Sequence, residues 1–283
     1  MKTVNSLSGG KTSSYMAVHY PADFELFSLV RTSDPACKFK DDKLRQMVSD
    51  KIGKEFIGTL EEDAIVYTMM DLEQFIGREI TWISGPVFDD IIKRTNRNGE
   101  LYTWLPNKTQ RFCTVEMKIL PIFNWCRDNT NLPVEMRIGF RANEISRAIS
   151  MIDRCVDGIE KQKAIVGKRK DGKNKWQLID YRKPRFPLIE DNILRDTVLN
   201  YWKDKPVRFA YMNNCVGCFH RNPALLKLMS EIQSNKFDWF SKQETEKARF
   251  ISGTTYDRIK NSFKQVELFE SDFNECDSGF CGL

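Results

Sequence analysis

The sequence predicts an α/β protein, a doubly wound and mostly parallel sheet followed by a smaller helical, cysteine-bearing C-terminal region. Three observations carry that expectation. Short apolar runs alternate with segments of helical spacing through the first half of the chain, a glycine turn joins the first run to the first helix, and the pattern changes from about Ala142 onward. The expected division is 1–155 and 156–283.

Residues 1–7 and 24–30 read as strands, the second a continuous apolar run of the kind buried in parallel sheets. Between them, Ser6-Leu7-Ser8-Gly9-Gly10-Lys11-Thr12-Ser13-Ser14 is a strand end, a glycine turn and the start of a helix that stops before Pro21. After the turn cluster Thr32-Ser33-Asp34-Pro35, Leu44, Met47, Val48 and Ile52 share one helical face. Further strands are expected at 56–59 and 79–84, separated by a helix around 64–75. Gly85-Pro86 precedes another helix, and 134–140 is a third clear strand. Ligands of such sheets sit beyond the carboxyl ends of the strands, where the glycine loop, Thr32 and Arg141 fall.

The second part begins with a helical stretch from Ala142 to Val156. Lys170-Asp171-Gly172-Lys173 is a turn between β-favouring residues 164–166 and 176–179, which reads as a hairpin. Pro187 leads into a helix ending near Trp202, and Asn222-Pro223 starts another with Leu225, Leu228, Met229 and Ile232 on one face.

A chain of 283 residues with 41% hydrophobic content buries a sizeable core. No apolar run approaches the ~20 residues that cross a membrane, and the start lacks a signal-peptide pattern, so a cytoplasmic protein with no membrane partner is expected. The eight cysteines are too scattered for a disulfide scaffold, and with two histidines neither a His-rich zinc site nor a His-containing triad is well supplied. The net charge of +5 hides a concentration: between Lys161 and Arg185 ten Lys/Arg face only Asp171 and Asp180. That segment is either a surface for a polyanion such as tRNA or DNA, or a solvated hairpin.

Adjacent glycines let backbone N–H groups turn inward, and Ser8, Thr12 and Ser13 add hydroxyls at the positive end of a helix, which makes a phosphate or sulfate cradle. A Walker A loop is excluded, because Asn5 stands where that motif needs its first glycine. Cys215-Val216-Gly217-Cys218 is a C-x-x-C knuckle, half of a metal site, whose small Gly217 relieves the turn. Arg141, Glu144 and Arg147 have the helical spacing that lets Glu144 brace either arginine for a forked grip on phosphate; the alternative is a surface ion-pair ladder. Cys37, Cys126 and Cys155 have no partner spacing and read as structural, and the six tryptophans read as core.

Five stretches resemble the phosphoadenosine phosphosulfate (PAPS) reductase-like branch of the PP-loop superfamily. The glycine loop is similar to S-G-G-x-[DT]-S. Cys113, Lys118 and Pro121 fall on C-C-x-x-x-K-x-x-P, with Thr114 at the second cysteine, and Ile138 to Arg147 is similar to I-G-x-R-x-x-E-x-x-R. The downstream C-x-x-C and the tail Cys281-Gly282-Leu283, similar to part of E-C-G-L-H, complete the set.

The resemblance implies an adenine nucleotide alpha-hydrolase-like fold, with 1–155 as the PP-loop nucleotide-binding domain. ATP or PAPS, with Mg2+, would be held by Ser8, Gly9, Gly10, Lys11, Thr12, Ser13, Thr32, Arg141, Glu144 and Arg147, and Lys11, Lys118 and Cys281 would be catalytic. Cys113, Cys215 and Cys218 would be ligands of a [4Fe–4S] cluster, with Cys281 or Cys276 as the fourth; His220 in that place would favour zinc. Three functions stay open. One is ATP α–β cleavage that adenylylates an acceptor, with sulfur delivery as in tRNA thiolation or DNA phosphorothioation. The second is a sulfonucleotide reductase using Cys281, and the third a non-catalytic nucleotide or nucleic-acid binder with structural zinc.

Overall fold

The computed structural model describes residues 1–262. Among them the strands are β1 (Thr3–Leu7), β2 (Phe24–Ser28), β3 (Ile80–Ile83), β4 (Lys93–Thr95), β5 (Leu101–Thr103), β6 (Val134–Arg137), β7 (Glu160–Lys168) and β8 (Asn174–Arg185). The helices are α1 (Lys11–His19), α2 (Asp42–Ile52), α3 (Ala64–Ile76), α4 (Phe88–Ile91), α5 (Phe112–Thr114), α6 (Leu120–Asn129), α7 (Ile145–Ile152), α8 (Pro187–Glu190), α9 (Arg195–Trp202), α10 (Pro223–Ile232), α11 (Ser234–Gln243) and α12 (Tyr256–Asn261).

Six strands form one sheet in the order β3-β2-β1-β6-β8-β7. β1 lies between β2 and β6, parallel to both, with Val4 opposite Phe24 on one side and Met136 on the other. β8 is parallel to β6, and β7 returns antiparallel along β8. This largely parallel sheet flanked by helices is compatible with a doubly wound fold. Short strands suffice because their apolar residues, Val4, Leu26, Val134 and Met136 among them, are wholly buried. No helix among the described residues is long and apolar enough to cross a membrane.

Packing divides the chain into two compact units of interleaved segments. The first comprises Met1–Phe27, Leu72–Thr81 and Ile122–Val207, and the second Ser28–Asp71, Trp82–Pro121 and the chain from Arg208 onward. The position of the expected boundary, residue 155, lies inside the first unit. The second unit has its own aromatic core, in which Phe240 packs edge-on to Phe88 and Phe250 and lies over Tyr256.

Two local expectations change, and one hairpin is new. Residues 56–59 are not a strand of the sheet: Gly58 instead bridges to Thr32 and Lys38, and a methyl there would lie 1.9 Å from the Cys37 carbonyl, so the segment serves a close backbone approach. The basic hairpin does form around Asp171-Gly172, but β8 runs on to Arg185 and joins the main sheet through β6 instead of standing apart. Sequence reasoning missed the β4–β5 hairpin. Its turn is built by Asn96, whose side-chain oxygen accepts from the N–H groups of Asn98 (2.9 Å) and Glu100 (3.0 Å), and by Gly99 at φ 83°.

Candidate functional site

The glycine loop leaves β1 at Leu7 and enters α1 at Lys11. Gly9 has φ 77°, a left-handed conformation suited to glycine, and Gly10 caps α1 with no side chain to bond the first-turn amides. Ser13 shapes the loop from within: its hydroxyl accepts from the Ser8 N–H, lies 3.1 Å from the Ser8 hydroxyl and donates to the Gly10 carbonyl. Ser13 is thus a clamp more than an open donor. The Trp202 indole N–H donates to the Lys11 carbonyl at 2.9 Å and pins the helix start, a role that periodicity cannot reveal.

The segment after β6 passes against this loop. A methyl built at Gly139 would lie 3.6 Å from the Ser13 backbone and from the Thr12 side-chain methyl, so the chain carrying Arg141 runs in contact with the start of α1. Glu144 braces both arginines: Oε2 accepts from the Arg141 backbone N–H and Nε, each at 3.0 Å, while Oε1 accepts from Arg147. The Arg147 guanidinium also lies 4.0 Å from the Phe140 ring centre. This is a built pair of cations on the carboxyl side of the sheet.

Thr32 belongs to the second unit. It is buried, with its hydroxyl donating to Asp89 at 2.8 Å and accepting from the Asp34 N–H, so it is engaged in its own turn.

Comparison with family models, curated proteins and solved structures finds no match for the chain.

The remaining expected residues among those described gather in the second unit around a small cavity of about 40 Å³ lined by Cys113, Cys215, Cys218, Arg111, Lys118 and His220. The C-x-x-C knuckle is closed by the Cys218 N–H on the Cys215 carbonyl (3.0 Å) and tied down where Val216 N–H meets the Leu60 carbonyl (2.8 Å). Gly217 is required for a different reason than the turn: a methyl there would lie 2.4 Å from the Phe240 ring. Its carbonyl accepts from the Tyr256 hydroxyl at 2.7 Å. Burial pushes the Tyr256 phenol well above its ordinary range, and negative charge at Cys218, Glu244, Cys215 and Cys113 acts in the same direction. All three thiols are therefore within electrostatic reach of one buried ring.

Cys113 and Lys118 lie on a helical stretch whose middle, Val115–Ile119, is a π-turn. Gly85 admits that wider turn, since a methyl on it would lie 2.7 Å from the Glu116 carbonyl. Burial pushes the Cys113 thiol up against the pull of Thr114, Arg111 and Lys118. Lys118 pairs with Glu61 at 2.8 Å; Glu61 is 1% exposed, and its other oxygen, Oε2, is buried without a hydrogen-bond partner among the described residues. Nothing in the sequence marks Glu61.

Among the described residues no three Cys, His, Asp or Glu side chains are grouped closely enough to hold a metal ion. The three thiols share a cavity without forming a ligand set, and Cys276 and Cys281 lie outside the described residues. Cys37 and Cys126 fit the structural reading, with burial pushing each thiol up to about 12.

The basic hairpin exposes Lys163, Lys168, Arg169, Lys170, Lys173 and Lys175. Arg182 is instead buried and paired with Glu160 at 2.7 Å.

Proposed function

We propose that the chain is a PAPS reductase-like PP-loop enzyme that binds ATP and cleaves it between the α- and β-phosphates. An acceptor nucleophile attacks the α-phosphorus, the bond to the bridging oxygen breaks, pyrophosphate leaves and AMP stays on the acceptor. The observation that carries this reading is the contact of Gly139 with Thr12 and Ser13, which brings the arginine-bearing segment against an uncapped, glycine-opened helix start. Such amides and a nearby guanidinium pair suit a polyphosphate.

In this reading the α1 amides and Lys11 receive the phosphates, and Arg141 and Arg147, fixed by Glu144, stabilise the charge developing on the leaving pyrophosphate, with Mg2+ as its counter-ion. Ser8 and Ser13 hold the loop, and Thr32 stays with its own turn.

The cysteine cavity would serve the acceptor. Its three thiols fit a sulfur-ligated metal by donor type, and they would have to draw together with a fourth donor, Cys276 or Cys281, to complete one. A [4Fe–4S] cluster bound there would supply sulfur or electron chemistry, and zinc would supply structure alone. Lys118, held by Glu61, places a cation beside Cys113, and the exposed cations of the 160–185 hairpin favour a tRNA or DNA acceptor.

Pyrophosphate release from ATP, measured with and without added nucleic acid, tests the reading. Release that disappears in Gly10→Val is expected. Sulfite from PAPS, or nucleotide binding with no turnover of either compound, would overturn it.

A further inference from the structure

The β4–β5 hairpin belongs to neither the glycine loop nor the cations between Lys161 and Arg185. Between Lys93 and Arg111 the chain carries five cations, Lys93, Arg94, Arg97, Lys108 and Arg111, against one carboxylate, Glu100. Glu100 is bonded at 2.7 Å by the Asn96 side-chain amide, and Arg94 is paired with Glu116. Lys93, Arg97 and Lys108 are exposed and have no carboxylate partner among the described residues.

Two aromatic rings stand in this basic surface. Tyr102 and Trp104 are two residues apart on an extended chain and therefore share a face; their rings meet edge to face at 6.3 Å. They are 44% and 42% exposed, and neighbouring Leu101 is 75% exposed. A hydrophobic core does not explain two large rings left this open on a short hairpin. The platform is nonetheless stiff: the Trp104 N–H extends the ladder to the Ile92 carbonyl at 2.8 Å, and Asn96 fixes the turn.

Exposed rings interleaved with unpaired cations are the chemistry that binds single-stranded nucleic acid, in which unpaired bases offer π-faces and phosphates offer charge. A duplex hides those faces, and an acidic peptide would engage the cations without needing the two exposed rings. We infer that the β4–β5 hairpin is a binding arm for single-stranded nucleic acid, with bases stacking on Tyr102 and Trp104 and phosphates meeting Lys93, Arg97 and Lys108. Residues 105–110 join the arm to Arg111, which lines the thiol cavity. This names the class of acceptor for the reaction proposed above and in that respect rests on it.

The test is fluorescence anisotropy of labelled mixed-sequence oligonucleotides, single-stranded and duplex, RNA and DNA, with the full chain and no ATP. Tyr102→Ala with Trp104→Ala is expected to weaken single-strand binding by roughly tenfold or more while sparing duplex binding, and Tyr102→Phe with Trp104→Phe to retain most of it. Lys93→Ser with Arg97→Ser and Lys108→Ser, all exposed positions, is expected to flatten the salt dependence, which tests the same arm should the aromatic variants fold poorly. Wild-type protein that binds no single strand, an alanine double variant that binds like wild type, or a loss equal for single strands and duplex would overturn the inference. Because no nucleotide is present, loss of binding in the variants stands even if ATP is never cleaved, and pyrophosphate release with unaltered single-strand binding defeats only the arm.

Discussion

The Ser28 hydroxyl donates to the Met117 carbonyl at 2.7 Å. Pro121, four residues beyond Met117, has no N–H to offer that carbonyl, and both groups of the bond are buried, so the serine satisfies what the proline leaves open. Ser28→Ala should cost about 1–3 kcal/mol in urea unfolding. The cost should shrink in a Pro121→Ala background, where an amide can take the serine's place. Equal costs in both backgrounds would reject this account of the π-turn.

Gly10→Val should abolish ATP binding and leave the fold intact. Gly10 is extended, at φ −97° and ψ 160°, a conformation open to any residue, so the added side chain meets the cradle and not backbone strain. Calorimetry should show affinity falling by more than roughly tenfold, about 1.4 kcal/mol, with a smaller loss for Lys11→Ala because the backbone still donates. Unchanged affinity for both ATP and PAPS would remove the loop from the argument.

Single alanine substitutions at Cys113, Cys215 and Cys218 should each remove metal from protein purified without oxygen, and Cys37→Ala and Cys126→Ala should not. The three thiols line one cavity, whereas Cys37 and Cys126 are buried in the cores. Iron content and the visible spectrum read the outcome, and Cys276→Ala and Cys281→Ala identify the fourth donor. Full metal content without Cys113 would dissolve the shared site.

Cys126 makes stability fall at alkaline pH. Burial raises its folded-state pKa from 9.0 to about 12, so the folded chain holds the proton more tightly than the unfolded one. Its contribution is complete below the unfolded value and is lost as pH climbs toward the folded one, by about 4 kcal/mol at most. Urea titrations between those limits should show a shallower decline in Cys126→Ala than in wild type; parallel declines would contradict it.

Duplex or tRNA binding through the 160–185 hairpin should weaken steeply with salt, as displaced counterions return. Replacing exposed Lys168, Arg169 and Lys170 with serine should lower the slope of log K against log salt by about 2 to 3. An unchanged slope would make that hairpin a solvated surface.

What the sequence disclosed was local. β1, the glycine turn and α1 were readable because an apolar run, two glycines and the stop at Pro21 each act within a few residues. The Asp171-Gly172 turn gave the basic hairpin, yet the parallel pairing of β8 with β6 joins residues such as Val134 and Arg182, far apart in the chain, and left no periodic trace. The β4–β5 hairpin carried a cue, Asn98-Gly99, but its strands are too short and polar to show alternation. At the cavity, spacing showed the knuckle of Cys215 and Cys218, and only the family resemblance tied it to Cys113. Glu61 and the Phe240 ring over Gly217 are matters of packing alone.

The interleaving of the two units sets an order of completion during synthesis. The unit that carries the glycine loop cannot close until Val207 has followed, and the second unit still awaits Tyr256 and Ile259. The chain passes from one unit to the other five times, so no single cut releases either as an intact fragment. A nascent chain halted between residues 121 and 134 would hold the glycine loop without β6, the strand that pairs with β1.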